Sequence, residues 1–302
     1  MYSNFIEIVE VAPRDGLQNE KTLISTADKL GLIERAIAAG ARRLEVTSFV
    51  NPKAVPQMAD AEAVCSGLPV RDDVTYIGLV MNARGAGRAL ETGRIDQLGA
   101  VAVATDQFAM ANQGQTSDGS VAAAKDIIAM AQAAGKTAQV TIGASFGCPF
   151  EGEVSEDRVV AMAQAIAEAG PIEIGLADTI GVANPAHVAS LVGKIRVALP
   201  DMPVRVHFHN TRGTGLANLW SAILAGASVA DCAIGGLGGC PFAPGAAGNI
   251  STEDVIYMLD RAGVQTGLDL TQLIAANHWL ADVMQRSLPG MVAKAPPFPK
   301  QA

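Results

Sequence analysis

Residues 204–235, VRVHFHNTRGTGLANLWSAILAGASVADCAIG, decide the fold. The stretch begins with a short run in which apolar and polar residues alternate, VRVHFH (204–209), and such alternation is typical of a strand. A helical pattern follows at 214–225, where apolar residues recur every three or four positions, and a second apolar run, VADCAIG, covers 229–235. The stretch therefore predicts a strand–helix–strand unit of an α/β fold.

The same alternation of short apolar runs and helical patterns continues along the rest of the chain. Six further strands are expected, at FIEIVEV (5–11), RRLEVTS (42–48), VTYIGLV (74–80), AVAVAT (100–105), AQVTIGA (138–144) and IEIGLA (172–177). Helical patterns lie between them, for example at 26–39, 154–169 and 185–198. This repetition predicts a (β/α)8 TIM barrel. The alternative is an open doubly wound sheet, but no glycine-rich dinucleotide fingerprint follows the first strand.

The barrel pattern fills most of the chain. We predict a single catalytic domain over residues 1–302, in which the barrel covers about 4–262. The final stretch, about 268–302, is predicted to form one extra C-terminal helix and a proline-rich tail, APPFPKQA. No low-complexity linker divides the chain.

Composition excludes several classes of protein. Hydrophobic residues make up 49% of the chain and charged residues 17%, so a large core can form and the composition argues against a disordered chain. The net charge of −8 argues against nucleic acid as a partner. Four scattered cysteines fit a reducing compartment, and neither a signal peptide nor a membrane span is visible. We therefore expect a cytoplasmic protein without a nucleic-acid or membrane partner.

Two of the four histidines, His207 and His209, end the seventh predicted strand. Side chains two residues apart on a strand point the same way, and strand ends form the catalytic face of this barrel. Two imidazoles on one face suit a divalent metal. Taken alone, the pair could equally be two ordinary hydrogen-bonded histidines.

The first strand ends in APRDGLQNE, which delivers Arg14 and Asp15 to the same face. The carboxylate of Asp15 could complete a metal site with mixed nitrogen and oxygen ligands. Arg14 could bind a carboxylate or stabilise an enolate oxygen. The alternative is a surface ion pair at a turn.

Acidic residues also lie inside two apolar strands. Glu45 lies within LEVTSFV, and Asp178 with Thr179 ends the sixth strand in LADTIG. A buried charge is costly unless it is paired, so each acid has either a structural ion pair or a role in catalysis or binding. The sequence leaves both readings open.

A glycine-rich segment, GGLGGCPFAPGAAGN (235–249), follows the eighth predicted strand. Glycines let a backbone approach a ligand closely, which makes Cys240 a candidate acid or base and Asn249 a candidate oxygen ligand. An inert or disulfide-bonded thiol is the alternative for Cys240. The alternative for Asn249 is a helix cap, although Ser251 can serve there in a capping box with Asp254.

The remaining histidines and a second cysteine receive structural interpretations. Cys148, in GCPF after the fifth strand, has no flanking glycine run, and His187 and His278 fall in helical patterns. We expect these three side chains to be structural or to lie on the surface.

Eight stretches carry a resemblance to a known family: VEVAPRDGLQNEK, LEVTSFVNPKAVPQM, GCPFEG, LADTIGV, VHFHNT, GLAN, GGLGGCPFAPGAAGN and TEDVIYML. They span nearly the whole chain and resemble the 3-hydroxy-3-methylglutaryl-CoA (HMG-CoA) lyases. These lyases belong to a metal-dependent group of barrels that also contains the isopropylmalate and homocitrate synthases. The cysteine-containing glycine segment is the motif most specific to the lyases.

The resemblance implies a divalent cation, Mg or Mn, and a set of site residues. The implied metal ligands are Asp15, His207, His209 and Asn249; the implied catalytic residues are Arg14, Asp15, Glu45 and Cys240; the implied substrate contacts are Arg14, Gln18, Asp178 and Thr179. The implied activity is retro-Claisen cleavage of HMG-CoA, an acyl-CoA thioester, to acetyl-CoA and acetoacetate. A homo-oligomer, either a dimer or a tetramer, is also expected.

Three other activities are kept as alternatives. The first is the same cleavage of a different branched 3-hydroxyacyl-CoA, and the second is a Claisen-type condensing synthase. The third is a barrel that binds acyl-CoA without catalysis.

A few positions depart from the lyase pattern. Asn210 stands where lyases often have Asp, Arg212 where some have an aromatic residue, and Ala111 where a basic residue is usual, whereas Phe108 and Asn112 match. None of these positions is an implied metal ligand. The departures therefore concern which acyl group the substrate carries, and not the cation site.

Overall fold

The computed structural model describes residues 4–239 and 248–296. Within them, parallel strands pair in chain order and form a closed barrel, in which the first strand also pairs with the last. The strands are β1 (Glu7–Glu10), β2 (Arg43–Ser48), β3 (Thr75–Val80), β4 (Gln97–Val103), β5 (Thr137–Gly143), β6 (Ile174–Asp178), β7 (Val204–Phe208) and β8 (Val229–Cys232). The predicted TIM barrel is confirmed.

Helices connect the strands and cover the outside of the barrel. They are α1 (Thr26–Ala38), α2 (Ala61–Gly67), α3 (Ala83–Glu91), α4 (Asp106–Gln113), α5 (Ser117–Ala133), α6 (Glu156–Ala167), α7 (Pro185–Ala198), α8 (Gly215–Ala225), α9 (Thr252–Arg261) and α10 (Leu270–Met284). The last of them, α10, is the predicted C-terminal helix. No helix in the described part of the chain is long and apolar enough to cross a membrane.

Local sequence fixes where the helices begin. The Asn184 side chain accepts hydrogen bonds from two backbone N–H groups at the start of α7, and Pro185 occupies the first helical position, where it suits the backbone. Ser251 caps α9, as predicted, by accepting from the N–H of Asp254. The reciprocal half of the predicted capping box is absent from the described contacts, because the Asp254 carboxylate instead accepts from the backbone of Met291.

Alternation along the strands divides the core into two layers. Arg43 and Glu45 point into the barrel, whereas Leu44 between them is fully buried against the surrounding helices. Burial of a leucine side chain stabilises the fold by about 1.5–3 kcal/mol. The outer layer is therefore apolar, and the barrel interior is free to carry polar side chains.

A chain of buried ion pairs fills the end of the barrel below the catalytic face. The carboxylate of Glu173 lies between two guanidinium groups, at 2.9 Å from Arg43 and 3.1 Å from Arg205. Arg43 also donates to Gln97 and Gln139. Removal of one partner from such a network leaves a buried charge uncompensated, which typically costs about 3–5 kcal/mol.

Strand boundaries differ from the predicted ones most at the fourth and eighth strands. The fourth strand is expected over 100–105, but β4 covers Gln97–Val103. The apolar run VADCAIG predicted a strand over 229–235, but β8 ends at Cys232. Gly235 and Gly236 have φ angles of +78° and +68°, which belong to the left-handed region and turn the chain away from the sheet. The first strand is also shorter than its pattern, since it covers Glu7–Glu10.

Candidate active site

The polar motifs identified in the sequence meet at the C-terminal face of the barrel. Arg14 and Asp15 lie in a single π-helical turn, Ala12–Gly16, directly after β1, and Glu45 lies within β2. His209 follows β7 and forms an isolated backbone bridge with Asn249. Because the C-terminal ends of all the strands meet at one face, residues that are more than 200 positions apart in sequence lie close together there.

Three of the implied metal ligands converge on one point. The Nε2 atoms of His207 and His209 are 3.2 Å apart, which confirms that the two imidazoles share a face. Oδ2 of Asp15 lies 3.8 Å from Nε2 of His207 and 3.9 Å from Nε2 of His209. One atom from each residue lies within 4.8 Å of the others, a spacing that suits a single cation.

Asn249 completes this arrangement. Its Nδ2 donates to Oδ2 of Asp15 at 2.8 Å and to the carbonyl of Leu237 at 2.9 Å. Its Oδ1 is buried and has no hydrogen-bond partner among the described residues. A buried acceptor without a partner is costly, and coordination of a cation would satisfy it. As placed, the amide nitrogen rather than the oxygen contacts Asp15, so an exchange of the two amide positions would present the oxygen to a cation as a fourth ligand.

Arg14 couples the two carboxylates on its flanks. It donates to Asp15 at 2.5 Å, and its Nε donates to Glu45. Burial opposes ionisation of Asp15, but Arg14 and the neighbouring imidazoles hold the pKa of that carboxyl well below its usual range. Burial raises the pKa of Glu45, and Arg14 offsets this only in part. Asp15 is therefore a stable anion, and Glu45 is the more basic of the two.

The carboxylate of Asp231, which was not predicted as a site residue, contacts the Nδ1 side of the His207 ring. Nδ1 of His207 lies 3.1 Å from Oδ2 of Asp231, a residue of β8. Burial lowers the pKa of His207, but the hydrogen bond that its ring donates to Asp231 and the charge of Asp15 outweigh it, and the net effect is a raised pKa. The signal for Asp231 was present in the sequence, because it is a charge inside the apolar run VADCAIG.

The charges that face the cavity are unequal in number. Among the described lining residues, two guanidinium groups, those of Arg14 and Arg205, face three carboxylates, those of Asp15, Glu45 and Asp231. With neutral imidazoles, the ionised site carries one excess negative charge. A divalent cation would reverse this sign and leave the site able to accept an anionic substrate.

A cavity of about 180 Å³ opens at this face. Gln18 and Thr179, which the resemblance implied as substrate contacts, line it, and so do Phe108 and Asn112 of α4. Oε1 of Gln18 is buried without a hydrogen-bond partner in the described structure. The wall is thus apolar on one side and rich in polar groups near the cation site.

Asp178 does not line this cavity, which corrects its interpretation as a substrate contact. Its carboxylate is fully buried and accepts hydrogen bonds from the N–H groups of Val182 at 2.8 Å and Ala183 at 3.0 Å. The physical reason is strand alternation, because Ala177 and Thr179 on either side face the cavity. Asp178 therefore holds the loop after β6.

Cys240 lies outside the described residues. Its neighbour Gly239 lines the cavity, and the Gly239 carbonyl accepts a hydrogen bond of 2.6 Å from the side chain of Asn19.

Cys148, His187 and His278, which were expected to be structural or to lie on the surface, contact other parts of the fold. Cys148 is buried and accepts a hydrogen bond from Thr105 at 3.0 Å. Nε2 of His187 lies 3.7 Å from Glu156, and Nε2 of His278 lies 3.0 Å from the carbonyl of Ala293. None of these three side chains lines the described cavity.

Two of the departures from the lyase pattern organise the loop after β7. Asn210 accepts a hydrogen bond from the N–H of Gly215, where α8 begins. Arg212 donates to the carbonyls of Ile180 and Gly181, at 2.9 Å each, and so joins this loop to the loop after β6. Both positions shape the rim and do not line the cavity.

Comparison with known proteins gives the family. A family model described as HMGL-like matches residues 5–280. The chain belongs to the HMGL-like family. The (R)-citramalyl-CoA lyase of Chloroflexus aurantiacus is 43% identical over 302 residues, which cover 97% of this chain and 95% of that protein. A hydroxymethylglutaryl-CoA lyase of Bacillus subtilis is 39% identical over 288 residues, which cover 95% and 96%.

Solved structures of HMGL-like lyases share the whole architecture. The crystal structure of the HMG-CoA lyase of Bacillus subtilis matches with a TM-score of 0.94 at 38% identity, over 97% of this chain and 98% of that one. An HMG-CoA lyase of Acinetobacter baumannii, in complex with coenzyme A and 3-methylmalate, matches with a TM-score of 0.92 at 39% identity, over 99% of each chain. The resemblance to the HMG-CoA lyases and the assignment as a lyase are confirmed.

Proposed function

We propose that this lyase cleaves a 3-hydroxy-3-methyl acyl-CoA with a free carboxylate, HMG-CoA first, in a divalent-cation-dependent retro-Claisen reaction. The products from HMG-CoA are acetyl-CoA and acetoacetate. The observation that carries the proposal is the convergence of Asp15, His207 and His209 beside Arg14, at the mouth of a cavity. Membership of the HMGL-like family supports the same chemistry.

The donor set fits Mg or Mn. It combines one carboxylate and two imidazoles with an amide oxygen, Oδ1 of Asn249, that is buried without a partner in the described structure. When bound here, a divalent cation supplies Lewis-acid polarisation of the substrate's hydroxyl and carboxylate oxygens. Asp15, His207, His209 and Asn249 would hold it.

Glu45 is the best-matched proton acceptor for the substrate's 3-hydroxyl. The carboxylates that line the described cavity belong to Asp15, Glu45 and Asp231. Despite burial, neighbouring cations lower the pKa of Asp15 and of Asp231, whereas burial raises the pKa of Glu45. A general base works best when its pKa approaches the working pH. On this ground Glu45, rather than Asp15, is proposed as the proton acceptor.

Stabilisation of the enolate oxygen of the departing acetyl-CoA is assigned to Arg14. Asp15 and Glu45 hold its guanidinium from two sides, and the group lines the cavity. A fixed cation in a water-poor site stabilises developing negative charge without reorganising at the moment of reaction.

Protonation of the enolate carbon is assigned to Cys240. The proposal rests on the thiol's place in the glycine-rich segment and on Gly239, which lines the cavity. Its proton would move from Sγ to the methylene carbon, which completes acetyl-CoA.

A second candidate substrate is citramalyl-CoA. The observation in its favour is the 43% identity to a citramalyl-CoA lyase. Citramalyl-CoA lacks one methylene between the tertiary carbon and the free carboxylate, so its cleavage gives acetyl-CoA and pyruvate. One methylene typically changes kcat/KM by about 10–200-fold, which an assay resolves easily.

The test supplies both thioesters to the purified full chain with Mg or Mn and identifies the acids released by mass spectrometry. We expect acetoacetate from HMG-CoA at the higher kcat/KM, and no turnover in excess chelator. Preferred release of pyruvate would assign citramalyl-CoA instead. If neither thioester is cleaved in the presence of either cation, the proposed reaction is wrong.

A further inference from the structure

We propose that Asp231 is a positioning residue that fixes the tautomer and orientation of His207 for the cation. It would do so by accepting the Nδ1–H of the imidazole, which keeps the Nε2 lone pair directed at the ligands on the other side. This inference rests on the proposed cation site, and it assigns a role to a buried acid that the reaction as described does not use.

The geometry places the two nitrogens of His207 in different surroundings. Nδ1 lies 3.1 Å from Oδ2 of Asp231, while Nε2 lies 3.2 Å from Nε2 of His209 and 3.8 Å from Oδ2 of Asp15. A neutral imidazole carries its proton on only one nitrogen. A proton on Nδ1, facing a carboxylate, leaves Nε2 free to coordinate.

Backbone register makes this contact a fixed property of the barrel. β7 and β8 are parallel neighbours, and His207 is the direct partner of Asp231 in their ladder. Side chains opposite each other on adjacent strands lie on the same face of the sheet. The acid therefore reaches the ring without any contribution from a mobile loop.

Arg205 fixes the acid in turn. One of its terminal nitrogens lies 3.0 Å and 3.2 Å from the two carboxylate oxygens of Asp231. Arg205 is itself anchored, since its side chain is almost fully buried and contacts Glu173 and the hydroxyl of Thr141. An ionised carboxylate only accepts hydrogen bonds, so Asp231 can face His207 only as an acceptor.

His209 provides an internal contrast. Its Nδ1 is buried and has no hydrogen-bond partner among the described residues. The two imidazoles share the proposed cation site, but within residues 4–239 and 248–296 a carboxylate accepts from the outer nitrogen of His207 alone.

The first measurement uses the wild-type protein without metal, at a pH high enough to deprotonate His207, whose pKa is raised. The chain has four histidines, so its ¹⁵N-histidine NMR spectrum is simple, and a His207→Gln variant identifies the His207 signals. We expect a protonated Nδ1 and an unprotonated Nε2 for His207. The opposite tautomer would overturn the inference without the use of any Asp231 variant.

The second measurement compares Mn²⁺ affinity, by calorimetry, for wild type and Asp231→Asn. Arg205 would attract the amide oxygen of the new asparagine and turn its NH₂ group toward His207. That group donates, so the ring would have to carry its proton on Nε2 and lose the lone pair needed for coordination. We expect about a 10–100-fold weaker affinity and a changed His207 tautomer.

Gln97→Leu is the matched control. It removes an acceptor for Arg43, at 3.1 Å, at the far end of the same buried network, and leaves His207 untouched. We expect this variant to bind Mn²⁺ as wild type does. Equal weakening in both variants, or wild-type affinity and tautomer in Asp231→Asn, would overturn the role of Asp231. Failure of the wild type itself to bind Mn²⁺ would overturn the cation site and this inference with it.

Discussion

Glu10 at the end of β1 predicts how the stability of this barrel depends on pH. Its side chain is buried, and Oε1 accepts from the N–H groups of Ala12 at 2.9 Å and Ile234 at 3.0 Å, while Oε2 accepts from the Thr252 hydroxyl at 2.7 Å. Burial, with a smaller contribution from the charge of Glu253, raises the pKa of Glu10 to about 7, although the three hydrogen bonds oppose this.

The size of the effect follows from the difference between the folded and unfolded pKa. Glu10 rises from 4.5 to about 7 on folding, and each pKa unit corresponds to about 1.36 kcal/mol. The folded state binds this proton more tightly than the unfolded state does. Glu10 therefore contributes about 3 kcal/mol to the free energy of unfolding below pH 4.5, and this contribution is lost as pH rises through 7.

Glu10→Gln isolates this contribution. Glutamine resembles the protonated acid, because its oxygen can still accept from Ala12 and Ile234 and its NH₂ group can donate to Thr252. Urea unfolding of both proteins at a series of pH values gives the free energy of unfolding of each. We expect the difference between wild type and variant to change by about 3 kcal/mol between pH 4.5 and 8, in favour of the variant at high pH.

Glu34→Gln, at an exposed position of α1, controls for the change in net charge. Its stability should follow wild type in parallel across the series. If Glu10→Gln also runs parallel to wild type, Glu10 is ionised throughout the range, and the burial argument is wrong for this site.

Three further predictions concern catalysis. Arg14→Ala should lower kcat by about 10²–10³-fold, more than it raises KM, because it removes a contact that strengthens in the transition state; a change in KM alone would make Arg14 a binding residue. Cys240→Ser should lower turnover by about 10²–10⁴-fold with unchanged Mn²⁺ affinity, and wild-type turnover would assign the proton to another group. His209→Ala should weaken Mn²⁺ binding measured by calorimetry, and unchanged binding would remove His209 from the ligand set.

The barrel could be predicted from sequence because its signals are local. Each strand shows as a short apolar run and each helix as a three-to-four-residue pattern, and their repetition leaves few alternatives. The strand-end rule then gathered Arg14, Asp15, His207 and His209 at one face without any knowledge of distances. Strand limits were less accurate at β4, which begins three residues before its predicted start, and at β8, which ends at Cys232 inside an apolar run.

The partners of buried charges could not be predicted. Arg205 pairs with Asp231, 26 positions away, and Arg43 with Glu173, 130 positions away, and nothing local to either strand specifies these pairings. They depend on strand register and on which face each residue takes. The orientation of Asp178, in contrast, follows from a local rule. Side chains alternate along a strand, and because Ala177 and Thr179 face the cavity, the Asp178 side chain between them points away from it.

The active site can form only after the last strand of the barrel has been synthesised, because closure of the barrel requires β1 to pair with β8. β1 pairs with β8 about 220 positions later, and at about 5–20 residues per second a ribosome needs on the order of 10–40 s to make the intervening chain. Asp15 emerges with β1, the two imidazoles emerge with β7, and Asn249 follows β8. Tight Mn²⁺ binding by chains stalled at increasing lengths should therefore begin abruptly, once the segment through Asn249 has left the exit tunnel.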